Sequence, residues 1–237
     1  MNQNILKEEE MLNLVFSIGR LEERIYYPLG TCTLINQTNT LVTAAHVVGG
    51  SDDNLVIRLN DNFYGGYQDT TEPGLTLVKV EIVKIDPIKD VCILRLVGSN
   101  DVKSNLRISN TDNINIGDRV AIVGFPHSDL GRIVLTQQTT EVGAKILLGN
   151  SGVKTKHLVL NIQARPGQSG SPVINLKDRS LVGILIGAYV PTIDGGISLG
   201  GIDPQTLHQT THVVSTEYLQ SIMVLSQENN EKKYTIL

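Results

Sequence analysis

Short apolar runs dominate this chain, and polar or turn-forming residues punctuate them. Ile25–Asn36 reads as a strand broken at Leu29-Gly30, and Thr40–Thr43 as a short strand running into Ala44-Ala45-His46. Leu55–Leu59 alternates before the turn residues Asn60-Asp61-Asn62. Leu75–Ile85 has the period-two polarity of a half-buried strand, with Val78 and Val80 set against Lys79 and Glu81, and Val91–Val97 forms another strand. A polar connection then runs to Ile116. The second set comprises Arg119–Gly124, then Arg132–Gln138 and Glu141–Leu148 as a hairpin or one bent strand pair, then His157–Ile162, Pro172–Asn175, Leu181–Gly187 and His212–Val214. Pro191–Gln209 is Gly-rich and reads as a loop. Helical spacing stands out in Ser215–Leu225, with Ser215 as N-cap and Tyr218, Leu219, Ile222 and Leu225 on one face. The tail from Ser226 is polar.

Many short strands with one terminal helix predict an all-β chain, either a sandwich or barrels, and periodicity does not choose between them. The length of 237 residues suits one or two domains with a core that needs no disulfides. A hydrophobic fraction of 41% and a charged fraction of 19% are those of an ordinary globular protein. The net charge of −4, with no stripe of Lys and Arg, argues against a nucleic-acid partner. Trp is absent and aromatics make up only 4% of the chain, which removes the stacking platforms that single-stranded nucleic acid or sugar binding would favour. No apolar run is long enough to cross a bilayer, so no membrane role is expected. The acidic start, Met1 to Glu10, is unlike a signal peptide, which sets the expectation of a cytoplasmic protein. Leu6–Leu14 is helix-prone and reads as a surface segment, with docking of a regulatory partner protein left open. Cys32 and Cys92 sit in apolar runs and read as buried and reduced, although sequence alone does not decide whether they are bridged.

Three segments carry candidate chemistry. In Leu41–Val48 a branched strand gives way to Ala44-Ala45, whose small side chains allow close packing and leave His46 at the strand end. In Lys84–Leu94, Asp90 opens an apolar strand, where a carboxylate is costly to bury unless a cation or several donors meet it. Asp86, before Pro87, is the competing acid in a more solvated, turn-like setting. In Arg165–Val173, Ser169 stands in a Gly-rich loop ahead of an apolar strand, where the amides of Gly167 and Ser169 can converge on an oxyanion. Ser171 occupies the place of the second Gly of an α/β-hydrolase elbow, which excludes that motif. Gly149-Asn150-Ser151-Gly152 is a second Gly-Ser loop, followed by a charged stretch, and reads as a hairpin turn. Of His127, His157, His208 and His212, only the loose pair His208 and His212 has a ligand-like spacing, and it lacks the acidic partner of a zincin motif, so no metal or cofactor is expected.

The order His, Asp, Ser is that of the chymotrypsin type. Thr43-Ala44-Ala45-His46, Asp90-Val91-Cys92-Ile93-Leu94 and Gly167-Gln168-Ser169-Gly170-Ser171-Pro172 resemble the signature segments of trypsin-like serine proteases. Lys84–Leu94, Gly117–Pro126 and Leu181–Ile186 are similar to HtrA/Deg protease domains, and Ser-Gly-Ser-Pro-Val to bacterial glutamyl-endopeptidase-like enzymes. The resemblance implies an all-β fold of two six-stranded antiparallel barrels with a C-terminal helix. The expected division is an extension (1–25), a first barrel with His46 and Asp90 (26–110), a second barrel with Ser169 and the helix (111–226), and a tail (227–237). It also implies a serine endopeptidase acting on a protein or peptide substrate, with His46, Asp90 and Ser169 as catalytic triad and Gly167 and Ser169 as oxyanion donors. Gln168 replaces the Asp that pairs with a freed N-terminus in trypsin-like zymogens, so that activation is not expected. Val47 removes the usual neighbouring disulfide, and no PDZ segment follows. The substrate pocket is expected at Gln163, Ala164, Ile184, Leu185, Ile186 and Ala188. Leu185 and Ala164 replace the glutamyl-specificity His and Thr, and no Asp stands near Gln163. An apolar pocket of small or medium size is the expectation.

Overall fold

The structure is a computed structural model, and it describes residues 8–60, 63–64, 66–71, 74–98, 101–189 and 210–223. A short helix, α1 (Glu8–Leu12), leads into strands β1 (Val15–Glu22), β2 (Ile25–Leu34) and β3 (Thr40–Thr43). Helix α2 (Ala45–Val48) follows, then β4 (Leu55–Arg58), the small β5 (Phe63–Tyr64) and β6 (Tyr67–Gln68), and the long hairpin β7 (Leu77–Asp86) and β8 (Val91–Leu96). The second half runs β9 (Arg119–Gly124), β10 (Thr136–Asn150), β11 (Val153–Leu160), β12 (Pro172–Asn175), β13 (Leu181–Tyr189) and β14 (Thr210–Ser215), and a helix over 217–223 ends it.

Two closed six-stranded barrels result, in the orders β1-β2-β3-β8-β7-β4 and β10-β11-β14-β13-β12-β9. Every strand pair is antiparallel. Closure removes the open edges that a flat sheet of this length would expose. The first barrel begins at Val15, inside the stretch expected to be an N-terminal extension. The reason lies in Ser17, a buried polar residue whose hydroxyl pairs with the Tyr26 hydroxyl at 2.8 Å and so completes an inward row that looks interrupted in sequence. Met11 is also buried in the first core, so the 8–14 segment is packed against the barrel. Of the expected strands, Thr136–Gln138 and Glu141–Leu148 fall in the single bent strand β10, with a register shift between Val142 and Ala144, while Arg132–Leu135 lie outside it. The suspected hairpin at Ser151-Gly152 has φ of 49° and 79°, the doubly left-handed pattern of a type I′ turn.

The cores explain why several strands are apolar throughout. Val173 and Leu185 point into the second barrel. Their chain neighbours Ile174 and Ile184 point outward and join the first-barrel cluster with Leu41, Val42 and Leu94. Successive residues of a strand face opposite sides, so a strand covered on both faces loses its alternation. The apolar seam between the barrels fixes the walls of the cleft described next.

Candidate active site

Strand β3 ends at Thr43, Ala44 remains extended, and the four-residue helix α2 starts at Ala45. Ala44 and Ala45 are buried, and side chains of that size are what the close packing admits. His46, in the first turn, keeps 46% of its side chain exposed. Arg20 of β1 donates to the Val48 and Ser51 carbonyls at 2.9 and 2.8 Å, satisfying the C-terminal end of this turn of helix.

Asp90 closes the tight connection between β7 and β8 and has a left-handed φ of 55°, a conformation that Asp tolerates better than most residues. Its carboxylate meets His46 twice. Oδ2 lies 2.7 Å from His46 Nδ1, and Oδ1 accepts the His46 backbone N–H at 2.9 Å. These are the donors a carboxylate at the head of an apolar strand requires. Asp86 has different partners. It accepts the Ile88 and Lys89 amides at 3.1 Å and pairs with Lys89 Nζ at 2.9 Å, which makes it the cap of the connection. Desolvation would raise its pKa, but the Lys89 and Ile88 contacts outweigh it and hold the carboxyl below its usual value.

Ser169 sits on two consecutive turns. Gln168 N–H donates to Arg165 O at 3.1 Å with Pro166 and Gly167 between them, and Gly167 has φ 88°. Ser171 N–H donates to Gln168 O at 3.0 Å with Ser169 and Gly170 between them, and Gly170 has φ 85°. Each turn has the left-handed third residue of type II, which explains both glycines. Ser169 thus takes the outer second position of its turn. The first barrel holds this segment: Thr31 N–H donates to Ser169 O at 2.8 Å. A Cβ on Gly30 would meet Ser169 O at 2.7 Å and both Val47 methyls at 3.0 Å, so the serine turn lies alongside the helix of His46. Among the described residues no protein acceptor meets the N–H of Gly167 or of Ser169. Gln168, where zymogens carry Asp, is fully buried; its Oε1 accepts the Arg165 amide at 2.8 Å and its Nε2 donates to Gln138 Oε1 at 2.9 Å.

A cleft of about 620 Å³ opens beside the dyad, with His46 and Asp90 on one wall and Leu148, His157 and Ile186 on the other. His157 escaped sequence reasoning, since a histidine inside a strand carries no pattern of its own. It is buried, and its Nε2 lies 2.8 Å from Thr155 Oγ1. Thr155 Oγ1 also lies 3.3 Å from Leu148 O, and His157 Nδ1 is buried without a hydrogen-bond partner among the described residues. Burial, helped by the nearby His212, lowers the His157 pKa to about 4, so the ring is neutral near pH 7. Burial lowers the His212 pKa too.

The expected pocket residues separate. Ile184 and Leu185 are buried on opposite faces of β13, so their side chains point into the two cores, away from the cleft. Ile186, one step further on, lines it. Ala164 is buried against the second core and its N–H donates to Thr211 Oγ1 at 2.9 Å. Gln163 is half-buried beside it, while the Ala188 side chain and His208 lie outside the described residues. Cys32 and Cys92 are both free and buried, and desolvation raises both thiols, Cys92 to about 12. Among the described residues no cluster of three or more His, Cys, Asp or Glu is placed to hold a metal ion.

The chain is similar to several known proteins. A probable periplasmic serine endoprotease, DegP-like, of Halomonas elongata is 28% identical over 170 residues, which is 70% of this chain and 30% of that protein. An uncharacterized protein, y4bJ, of Sinorhizobium fredii is 24% identical over 76% of this chain and 25% of its own length. The chain therefore spans less than a third of the length of these relatives. Among solved structures, the MamO protease domain of Magnetospirillum magneticum superposes with a TM-score of 0.65 at 15% identity, covering 91% of this chain and 98% of that one. The active form of the Rv3671c protease of M. tuberculosis gives 0.63 at 20% identity, covering 93% and 82%. A family model described as the trypsin-like peptidase domain matches residues 30–184, more than half of the chain, a span that includes His46, Asp90 and Ser169. With the two six-stranded barrels, that match places this chain in the trypsin-like serine protease family.

Proposed function

We propose that the protein is a serine endopeptidase that hydrolyses polypeptide substrates through an acyl-enzyme, with Ser169 as nucleophile, His46 as general base and Asp90 as its partner. The observation that carries this reading is the two-point contact of Asp90 with His46, at 2.7 Å to the ring and 2.9 Å to the backbone. With Nδ1–H given to the carboxylate, Nε2 is the basic nitrogen, turned away from Asp90. It takes the Ser169 proton as Oγ attacks the peptide carbonyl, and Asp90 stabilises the imidazolium that forms. The Gly167 and Ser169 amides, which have no acceptor within the described protein, receive the oxyanion. Collapse of the tetrahedral adduct breaks the C–N bond, and the imidazolium returns its proton to the leaving amine. Water then repeats the cycle on the ester. The apolar stretch of the cleft at Ile85, Leu148 and Ile186 suits an extended segment with apolar side chains.

Reaction of the purified chain with a fluorophosphonate at neutral pH tests this. Wild type is expected to label, Ser151→Ala to label equally, and Ser169→Ala not at all. Loss of labelling in Ser151→Ala, or its persistence in Ser169→Ala, would overturn the assignment of the nucleophile. Absence of labelling in wild type would remove the peptidase reading.

A further inference from the structure

The geometry points to Thr31 as a positioning residue for the oxyanion-binding amides: its hydroxyl, delivered by the first barrel, fixes the peptide plane that follows Gly167. This rests on the peptidase reading above. Glycine is the most permissive residue in φ and ψ, so a turn centred on Gly167 has no conformation of its own choosing. The turn's own Gln168 N–H to Arg165 O bond at 3.1 Å holds it in part, and both flanking carbonyls are held from outside as well. The carbonyl of the Pro166–Gly167 peptide accepts His127 N–H at 2.7 Å. A trans peptide sets its N–H opposite its carbonyl, so this bond turns the Gly167 N–H away from His127. The carbonyl of the Gly167–Gln168 peptide accepts the Thr31 hydroxyl at 2.9 Å. With both planes fixed, Gly167 is locked at φ 88°.

Thr31 is built for this task at every atom. Its side chain is fully buried between the barrels. The hydroxyl donates to Gly167 O and accepts the Phe125 N–H at 3.4 Å, so its proton and a lone pair are both committed to the second barrel. Its own N–H donates to Ser169 O at 2.8 Å, and its carbonyl accepts the Thr43 hydroxyl at 2.7 Å, three residues before His46. One residue thus ties the turn of Gly167, the turn of Ser169 and the strand that leads to His46. The backbone part of this tie needs no particular side chain. The hydroxyl does, and without it the Gly167 carbonyl is left buried and unpaired, with the opposite orientation of the peptide as the escape.

The test is a side-chain series in the full chain, read by the second-order rate of fluorophosphonate labelling, in which Ser169 Oγ bonds to phosphorus and fluoride leaves. Removing one oxyanion donor costs about 10²–10³ in rate, and a donor misplaced by about 1 Å roughly 10². Thr31→Val and Thr31→Cys, which lack a hydroxyl donor, are expected to label about 10- to 100-fold more slowly, and Thr31→Ser within about threefold of wild type. KM for a fluorescent protein substrate and the pH of half-maximal labelling stay unchanged across the series, since Thr31 touches neither substrate nor a titrating group. Ser104→Ala removes another buried hydroxyl bond, to Leu34 O at 3.1 Å, remote from the turn, and controls for lost stability without lost rate. Should Thr31→Val not fold, the Ser and Cys variants, nearly equal in size, carry the comparison. Wild-type rates in the Val and Cys variants, or a Ser variant as slow as Cys, would overturn the role of the hydroxyl. A wild type that does not label overturns the peptidase reading itself, and a labelling wild type with an indifferent series overturns this inference alone.

Discussion

Two histidines face one another across the cleft, and the protein has given them opposite characters. His46, on the first-barrel wall, is half-exposed and presents Nδ1 to a carboxylate that also grips its backbone. His157, on the second-barrel wall, is buried, shares a hydrogen bond with a threonine hydroxyl and has no acid in contact. Burial penalises the charged ring at His157 and holds it neutral, whereas at His46 the Asp90 carboxylate occupies the Nδ1 side of the ring and leaves Nε2 on the opposite side. A proton acceptor is therefore made by its surroundings. Chain order favours His46, which precedes Asp90, and the carboxylate 2.7 Å from its ring gives that order a physical reason.

Converting Asp90 to Asn attacks the first wall and carries the largest expected effect on this comparison. Asn keeps the left-handed backbone and can still accept the His46 N–H, so the fold should stand. Its amide group facing Nδ1 forces the proton onto Nε2, the nitrogen that must be free. A loss of about 10⁴ in kcat is expected, about 5.5 kcal/mol of transition-state stabilisation. A loss under about tenfold would mean that His46 does not depend on Asp90, and the contrast with His157 would lose its cause. Steady-state hydrolysis of a protein substrate, paired with a melting curve, reads both quantities.

The two walls also differ in how their backbones are placed. His46 and Asp90 sit at strand ends within one barrel, while Ser169 depends on turns packed against the other barrel. Gly170 is the tightest point of that packing, since a Cβ there would collide with the Thr31 carbonyl and the Thr43 hydroxyl, at φ 85°. Gly170→Ala adds left-handed strain to overpacking, and a loss of roughly 3 kcal/mol or more is expected from the urea midpoint. Gly149→Ala, in a position with open space around it, is the natural counterpart and should unfold near the wild-type midpoint. Equal midpoints for the two would show that the serine turn is freer to shift than its contacts suggest.

The sequence exposes these two walls unequally. Thr40–Thr43 and Pro172–Asn175 are read correctly to the residue, because strand and turn signals coincide at their ends. Asp90 is separable from Asp86 by its place at the head of an apolar strand, a cost that needs an answering donor. The second-barrel wall was harder to read, and for a physical reason. Leu181–Gly187 is apolar at nearly every position, so nothing marks Ile184 and Leu185 as core and Ile186 as cleft until the neighbours of both faces are known. β1 was hidden by an inward serine whose partner, Tyr26, lies across a hairpin. Thr31 and His157 carry no local signal at all, since each draws its importance from residues far along the chain.

The smallest effect belongs to His157, and its sign follows from linkage. The ring binds a proton near pH 6.5 in the unfolded chain but only near pH 4 in the folded one. Between those values the unfolded state holds more protons, so stability falls as pH falls from about 6.5 to 4 and this contribution stops changing below that. The full shift would correspond to about 3 kcal/mol, and water entering the cleft reduces the expectation to about 2. Carboxylates titrate in the same range, so the informative quantity is the difference between wild type and His157→Leu at each pH. That difference cancels the shared carboxylate titration, and its change with pH cancels the constant cost of the lost Thr155 contact. It should move in favour of the variant by about 2 kcal/mol on going from pH 7 to pH 4, measured by urea unfolding. Parallel curves would mean that the folded ring charges as readily as the unfolded one. Burial of the second wall would then leave no mark on its histidine, and only the carboxylate at Asp90 would remain to tell the two rings apart.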